Sequence, residues 1–224
     1  MRVHAIFSAS THLLITLAAL PAQGALVAYW NFNSLSIASA SSPGSGGAPT
    51  SISANQGSGS LNLSTWTGTV DDFAGSSINT LNSDPAEESL SLIAASGITG
   101  NGGFIQMQVS LTGLNDPTLT YATQGTATGF DAAQLAWSIN GTDFTDHGAP
   151  IDPASSYSLI SHDLSSISAL DGASNAWFRL TFDGATSSSG NNRIDNLQIH
   201  AIPEPATLLL LGTGSLLLLK RRRD

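Results

Sequence analysis

Acidic side chains are the residues of this sequence with the clearest capacity for chemistry. Two carboxylates at a suitable separation can hydrolyse a glycosidic bond, one as the acid and the other as the base or nucleophile. The acids that a fold could bring together are Asp71-Asp72, Glu87-Glu88, Asp183 and Asp195. Because no spacing singles out a pair among so many acids, a glycan-active hydrolase or lyase is the alternative interpretation, and the sequence predicts no catalytic residue.

Metal ligands are few. The chain has no cysteine, which excludes a thiolate zinc site and a disulfide framework. The histidines are widely separated and form no paired zinc-binding pattern: His147, His162 and His200. Calcium prefers carboxylate and carbonyl oxygens, and its candidate ligands are Asp71, Asp72, Asp171, Asp195 and Asn196. None of these follows an EF-hand spacing, so solvated turn residues are favoured, and the sequence predicts no cofactor apart from this structural-calcium alternative.

Charge limits the partners of the central segment. Between Ala25 and Ile202, fourteen acids against two arginines give a formal charge of −12. Phosphate binding needs clustered cations, so the sequence excludes nucleic acid as a partner. We expect the two arginines, Arg179 and Arg193, to form structural ion pairs.

Alternating polarity predicts strands in most of this segment. Ile105, Met107 and Val109 alternate with glutamines, as in a half-buried strand. A first strand is predicted within residues 25–32, and further strands over residues 104–111, 118–122, 134–139, 157–164, 177–182 and 194–200. Many short strands with glycine-rich turns indicate an all-β fold, an antiparallel β-sandwich of jelly-roll type.

Local signals refine this organisation. Asn140-Gly141 predicts a two-residue type I′ hairpin turn, and Asp84-Pro85 predicts the start of one short helix. Residues 35–59 are rich in Ser and Gly, which predicts a low-complexity loop. The expected aromatic core residues are Phe104, Tyr121, Trp137, Trp177, Phe178 and Phe182. Thr65, Thr67 and Thr69 alternate, so an ice-binding adhesin is a third interpretation, although it would need a larger flat array.

The N-terminal residues 1–24 have the pattern of a secretory signal peptide. Arg2 precedes a short apolar run that ends at Pro21, and small residues follow. We therefore predict cleavage by signal peptidase between Gly24 and Ala25.

The C-terminal residues 203–224 combine three features. Pro203-Glu204-Pro205 blocks regular pairing, an apolar run extends from Leu208 to Leu219, and a basic cluster follows. The cluster consists of Lys220, Arg221, Arg222 and Arg223. As a helix, residues 207–219 would span about 20 Å, less than the ~30 Å hydrocarbon core. The run is therefore predicted to be a marginal transmembrane helix, a transient membrane anchor with its basic end in the cytoplasm.

These C-terminal features resemble the PEP-CTERM sorting signal of Gram-negative bacteria. The resemblance implies recognition by an exosortase, an inner-membrane cysteine protease, with a transient tether to the inner membrane before release to the cell surface or extracellular matrix. Organisms with this signal typically make extracellular polysaccharide, which implies a biofilm setting.

A second resemblance covers residues 126–130, 137–144, 178–180 and 193–197, which are similar to a jelly-roll module of many PEP-CTERM proteins. Related sandwiches often bind carbohydrate, which implies contact with extracellular polysaccharide. The leading interpretation is an exported, non-enzymatic surface or matrix protein, with a signal peptide at residues 1–24, a sandwich at 25–202 and a sorting signal at 203–224.

Overall fold

The computed structural model describes residues 24–204, and within this range the chain forms strands and two 3₁₀ turns but no α-helix. The strands are β1 Ala25–Trp30, β2 Ser51–Ser53, β3 Gln56–Gly57, β4 Ser60–Asn62, β5 Thr69–Ala74, β6 Glu88–Ile93, β7 Gly103–Val109, β8 Leu114–Gly125, β9 Ala132–Ser138, β10 Thr145–Ile151, β11 Ser158–Asp163, β12 Ala176–Asp183 and β13 Asn191–Pro203. The turns are Ser96–Ile98 and Ser168–Leu170.

The strands form two sheets in which every pairing is antiparallel. The first sheet has the order β11-β8-β13-β1-β3, and β6 pairs with both β13 and β5. The second sheet has the order β10-β9-β12-β7-β4-β2. The predicted all-β antiparallel architecture is confirmed.

One hydrophobic core joins the two sheets into a sandwich. Ile105 and Met107 on β7 are fully buried, as are Phe178 on β12 and Ile194 and Leu197 on β13, and all belong to the same cluster. Burial of such a side chain contributes about 1.5–3 kcal/mol relative to leaving it exposed. The alternation seen in the sequence therefore corresponds to inner and outer faces.

Strand β13 is the central strand of the first sheet. It pairs with β8 along one edge and with β6 and then β1 along the other. It also extends to Pro203, one residue beyond the predicted domain end at residue 202. The sorting motif therefore begins inside the sheet.

The aromatic residues predicted for the core divide into two groups. Tyr121, Phe178 and Phe182 are buried, whereas Phe104, Trp137 and Trp177 are only partly buried. Phe104 and Trp177 alternate with core residues and therefore point away from the core. Trp137 pairs with Phe178 and packs against the core from its rim.

The helix predicted after Asp84-Pro85 is wrong. The Asp84 carboxylate accepts a hydrogen bond from the Asn31 side chain at 3.1 Å instead of capping a helix. The chain then enters β6 at Glu88, opposite Ala74 of β5. Strand pairing decides the conformation here, because it satisfies backbone groups that a single helical turn would leave free.

The low-complexity segment 35–59 is more ordered than predicted. It contains β2 and β3, and Ser41 exchanges two backbone hydrogen bonds with Val70. Gly57 has φ +75°, and a β-carbon there would lie 2.1 Å from the Val27 oxygen, so only glycine permits β3 to approach β1 this closely. Backbone pairing thus orders a segment with few apolar side chains.

The predicted hairpin around Asn140-Gly141 exists, but its turn type is wrong. Strands β9 and β10 pair from Trp137 and Thr145, so the connection is longer than two residues. Only Gly141 has positive φ, whereas a type I′ turn needs two such residues. The Asn140 side-chain oxygen instead accepts the backbone N–H groups of Thr142 and Asp143, each at 2.9 Å.

Candidate functional site

The outer face of the first sheet is covered by residues 75–84. The Tyr29 hydroxyl donates to the Asn196 side-chain oxygen at 2.7 Å, and the Asn196 amide donates to the carbonyls of Ser76 and Ile78. The Asn79 amide donates in turn to the Asn196 carbonyl at 2.6 Å. A buried polar network therefore closes the part of this face around Tyr29 and Asn196.

Asp195 lies at the centre of that network, 1% exposed. Its two oxygens accept the backbone N–H groups of Ser76 at 2.6 Å and Asn196 at 2.8 Å. Burial raises the pKa of Asp195 to about 7, and the two N–H groups oppose that shift. Asp195-Asn196 thus fixes residues 75–84 onto the sheet.

The candidate calcium ligands do not meet at one point. Asp72 accepts the backbone N–H of Ile37, and Asp171 accepts that of Asp116. Asp71 accepts the N–H of its neighbour Asp72. Within residues 24–204, no group of three or more His, Asp or Glu side chains is placed to hold a metal ion.

Two of the acids considered for hydrolysis are separated. Asp183 ends β12 in the second sheet, whereas Asp195 lies on β13 in the first. Ile194 and Phe182, their chain neighbours, point into the core, so the two carboxylates leave opposite outer faces of the sandwich. Asp183 and Asp195 therefore do not form a pair.

The outer face of the second sheet carries mostly polar side chains, and we call it the polar face. Strand pairing aligns one residue from each of the six strands in a row. In order across the sheet, the row contains Ser51, Asn62, Gln106, Arg179, Ala136 and Asp146. At about 4.8 Å between strands, it is about 24 Å long. A parallel row contains Ser53, Ser60, Gln108, Trp177 and Ser138.

Arg179 is the centre of the polar face. Its guanidinium carbon lies 3.6 Å from the centroid of the Phe144 ring and 4.0 Å from that of Phe104. It donates to the Gln106 side-chain oxygen at 3.2 Å, and its buried Nε has no hydrogen-bond partner within residues 24–204. These contacts replace the ion pair expected for Arg179. Desolvation lowers the pKa of Arg179 from its usual value.

Arg193 likewise contacts an aromatic ring, because its guanidinium carbon lies 4.9 Å from the centroid of Phe73. It also donates to the Ala74 carbonyl at 3.5 Å. Within the part of the chain that is described, a ring and a carbonyl contact Arg193 where a carboxylate partner was predicted. A cation over a ring face is attracted by the quadrupole of the ring.

A second feature is a cleft of about 250 Å³ between loops. It is lined by Asp131 and Asp152, by hydroxyl residues including Thr126 and Thr186, and by Gly184. Gly184 has φ +84°, and a β-carbon there would collide with the Asp131 carboxylate. Sequence reasoning missed both acids, because they are far apart in the chain and lie in no motif.

The remaining candidates lie apart from the polar face. Thr65 and Thr67 precede β5 in a loop and donate to the carbonyls of Phe104 and Thr99, so the three alternating threonines form no flat array. His162 is buried with a ring centroid 6.3 Å from that of His147. His200 contacts the Gln198 side chain at 2.7 Å.

The predicted processing residues are described only in part. Gly24 precedes β1, Ala25 begins it, and Pro203 ends β13, with exposed Glu204 following. Pro205 and the anchor residues from Leu208 to Arg223 lie outside the described residues, as does the predicted signal peptide before Gly24. Among residues 24–204, no helix is long and apolar enough to cross a membrane.

Comparison with known proteins identifies the C-terminal segment. Residues 201–223 match the PEP-CTERM protein-sorting motif, so the chain carries this motif at the position indicated by its Pro-Glu-Pro sequence. The motif indicates an exported protein that exosortase handles at the membrane. No curated protein matches the sequence.

Several solved β-domains have a similar overall shape. The tandem CBM22-1–CBM22-2 domain of Paenibacillus barcinonensis Xyn10C has 11% identity and a TM-score of 0.46, covering 84% of this chain and 50% of its own. The CBM22-1 xylan-binding domain of the same protein has 10% identity, a TM-score of 0.42 and coverages of 82% and 99%. The K2 cleaved adhesin domain of Lys-gingipain has 16% identity, a TM-score of 0.41 and coverages of 76% and 97%. Xylan binding and adhesion are stated here of those domains and not of this chain.

Proposed function

We propose that this chain is an exported, non-enzymatic protein of the cell surface or extracellular matrix that contacts polysaccharide through the polar face. Signal peptidase removes its N-terminal leader, and exosortase processes its C-terminal motif after a transient stay at the inner membrane. The single observation that carries the polysaccharide contact is the row of side chains across six strands, polar except for the buried Ala136, with aromatic rings beside it.

The chemistry of the polar face suits sugar rings. A pyranose presents hydroxyl groups at its edge and C–H groups on its face, so it is recognised by amides together with aromatic rings. Gln108 and Asn62 are exposed there, and Trp177 lies between Gln108 and Ser138 in the second row. Amide side chains both donate and accept hydrogen bonds, as sugar hydroxyls do.

Charge favours a neutral polysaccharide. Asp146 lies in the same row as Arg179 and has the opposite charge. A second acid, Asp183, ends the strand that carries Arg179. The whole segment from Ala25 to Ile202, with fourteen acids against two arginines, would repel a uronic-acid polymer. Binding to a neutral glycan should consequently change little with salt concentration.

A binding experiment tests this function. Mobility of the domain would be measured in gels that contain neutral or uronic-acid polysaccharides, for wild type, Trp177→Ala and Gln106→Ala. We expect retardation by a neutral glycan, with affinity reduced roughly three- to tenfold by loss of the Trp177 ring. Leu159→Ala is the matched control, since Leu159 is 53% exposed on the opposite sheet.

Two results would count against this proposal. Equal retardation of wild type and Trp177→Ala would remove the polar face as the binding surface. Release of reducing ends from the same polysaccharides by the wild type, lost in Asp131→Asn or Asp152→Asn, would instead favour the hydrolase alternative at the loop cleft.

A further inference from the structure

Both predicted processing sites lie at the same end of the sandwich. Ala25, the first residue after the predicted signal cleavage, pairs directly with Ala201 of β13. The strands are antiparallel, so the chain enters β1 where it leaves β13. The predicted leader and the predicted apolar tail are therefore attached to the same end of the sandwich.

The sorting motif itself is held by the sheet. Pro203 pairs with Leu114 of β8, and the Glu204 N–H donates to the Gly113 carbonyl at 3.0 Å. Few residues separate Glu204 from the apolar run that begins at Leu208. The first two residues of the motif are thus bound to the body and lie close to the predicted membrane segment.

We propose that the folded sandwich withholds its own sorting motif, so that exosortase acts only after the end of β13 releases Pro203 and Glu204 from β8. This inference rests on the proposed sorting of the chain. A protease binds the backbone of its substrate in extended form, and the Glu204 N–H cannot serve Gly113 and the protease together. Processing should then follow the population in which the end of the strand is open.

The covalent step is ordinary peptide cleavage by a cysteine protease. The thiolate adds to the carbonyl carbon of the scissile bond, and the C–N bond breaks as the leaving amine takes a proton. The acyl group then passes to water. The sandwich takes no part in these steps, because its role is to control access to the bond.

The experiment compares precursor and processed chain in cells that produce an exosortase, with the ratio measured by intact mass and immunoblot. A short Gly-Ser linker inserted between Ile202 and Pro203 moves the intact motif away from the sheet. We expect the ratio of processed chain to precursor to rise about three- to tenfold. This is the fold-change that the free energy of one hydrogen bond produces in an equilibrium. An unchanged or lower ratio would overturn the proposal.

A point variant provides a second test with a matched control. Gly113 has φ +72°, so Gly113→Val strains the backbone that accepts the Glu204 N–H. Gly102, directly before the first residue of β7, has φ +73° and equally open surroundings. Gly102→Val therefore imposes the same backbone strain at a position away from Glu204. We expect faster processing for Gly113→Val but not for Gly102→Val. Equal processing of the two variants would contradict the proposal.

Failure of the sorting function would look different. Pro203→Ala combined with Glu204→Ala destroys the motif, and this variant should remain unprocessed with or without the linker. If the wild type and the linker variant both stay at precursor mass, exosortase does not process the chain. Both the proposed sorting and the proposed withholding of the motif by the sandwich are then wrong. If both are processed to the same degree, exosortase does sort the chain, and only the proposal that the sandwich withholds the motif is wrong.

Discussion

Arg179 shows how a charged side chain can be held without a carboxylate. Contact of its guanidinium with the rings of Phe104 and Phe144 contributes roughly 0.5–2 kcal/mol per ring, depending on exposure. Gln106 fixes the orientation of the guanidinium plane through one further hydrogen bond. The result is a rigid arrangement of rings and N–H donors in the middle of the polar face.

His162 is a second residue whose environment decides its chemistry. It is 7% exposed, its ring stacks on Tyr121 with centroids 5.9 Å apart, and its Nε2 has no partner among the described residues. Burial, with a smaller effect of His147, lowers the pKa of His162 to about 4. The folded protein therefore holds this imidazole neutral.

This environment makes stability depend on pH. An unfolded imidazole has a pKa near 6.5, so the contribution of His162 is fully present above that pH and is lost as the pH falls toward about 4. The loss should amount to about 2–3 kcal/mol. His162→Phe keeps the stacking on Tyr121 but binds no proton, so we expect a smaller decrease in its thermal midpoint on acidification.

Thermal unfolding of wild type, His162→Phe and His200→Phe between neutral and acidic pH checks this expectation. His200 is less buried than His162, so its variant should follow the wild-type curve. Parallel curves for wild type and His162→Phe would show that His162 does not cause the acid sensitivity.

Strands differ in what holds them. Strand β13 is ordered by pairing along both edges and by core residues such as Leu197 and Ile199. Strands β2 and β3, with three and two residues, depend on backbone bonds at the sheet edges. Short edge strands also protect a sheet against pairing with other chains.

Two side chains hold the turn between β9 and β10, and the Ser138 hydroxyl accepts the backbone N–H groups of Asn140 at 3.2 Å and Gly141 at 3.0 Å. The Asn140 oxygen accepts the N–H groups of Thr142 and Asp143, which have no strand partner within the turn. We expect Asn140→Ala to lower the free energy of unfolding by about 1–2 kcal/mol in denaturant titrations. Asp143→Ala, which removes only the exposed contact with the Asn140 amide, should change it by less than about 0.5 kcal/mol. Equal effects would show that the turn does not depend on the Asn140 oxygen.

The molecule as a whole has two unlike outer faces. Residues 75–84 close the first through Asp195 and Asn196, whereas the second keeps its rows of amides and rings open. The second face carries the row across six strands that is proposed to contact a polymer. The two predicted processing sites lie at one end of the sandwich, whereas the polar face lies along its side.

Truncation tests the integrity of the sandwich. A chain of residues 25–204 retains every strand, so we expect one cooperative thermal transition. Removal of β1 should prevent folding, because Trp30 is fully buried and β1 fills the position between β13 and β3. A cooperative transition in the chain that starts at Asn31 would contradict this role of β1.

The sequence by itself determined the local features. Alternation at Ile105, Met107 and Val109 determines a strand wherever one face is buried, and the Pro-Glu-Pro motif with its apolar run and basic cluster is recognisable without any fold. The all-β class follows from such local periodicity. The finer jelly-roll description and the domain boundaries stay predictions.

Only the tertiary structure decided which residues meet. Strand order is a matter of contacts between distant segments, so alternation alone could not tell that Asp183 and Asp195 lie on opposite sides of the sandwich. Asp84 was expected to cap a helix, but its carboxylate instead accepts a hydrogen bond from Asn31, which lies 53 residues away in the chain. The docking of Glu204 on Gly113 likewise depends on the pairing of β13 with β8, which no local pattern specifies.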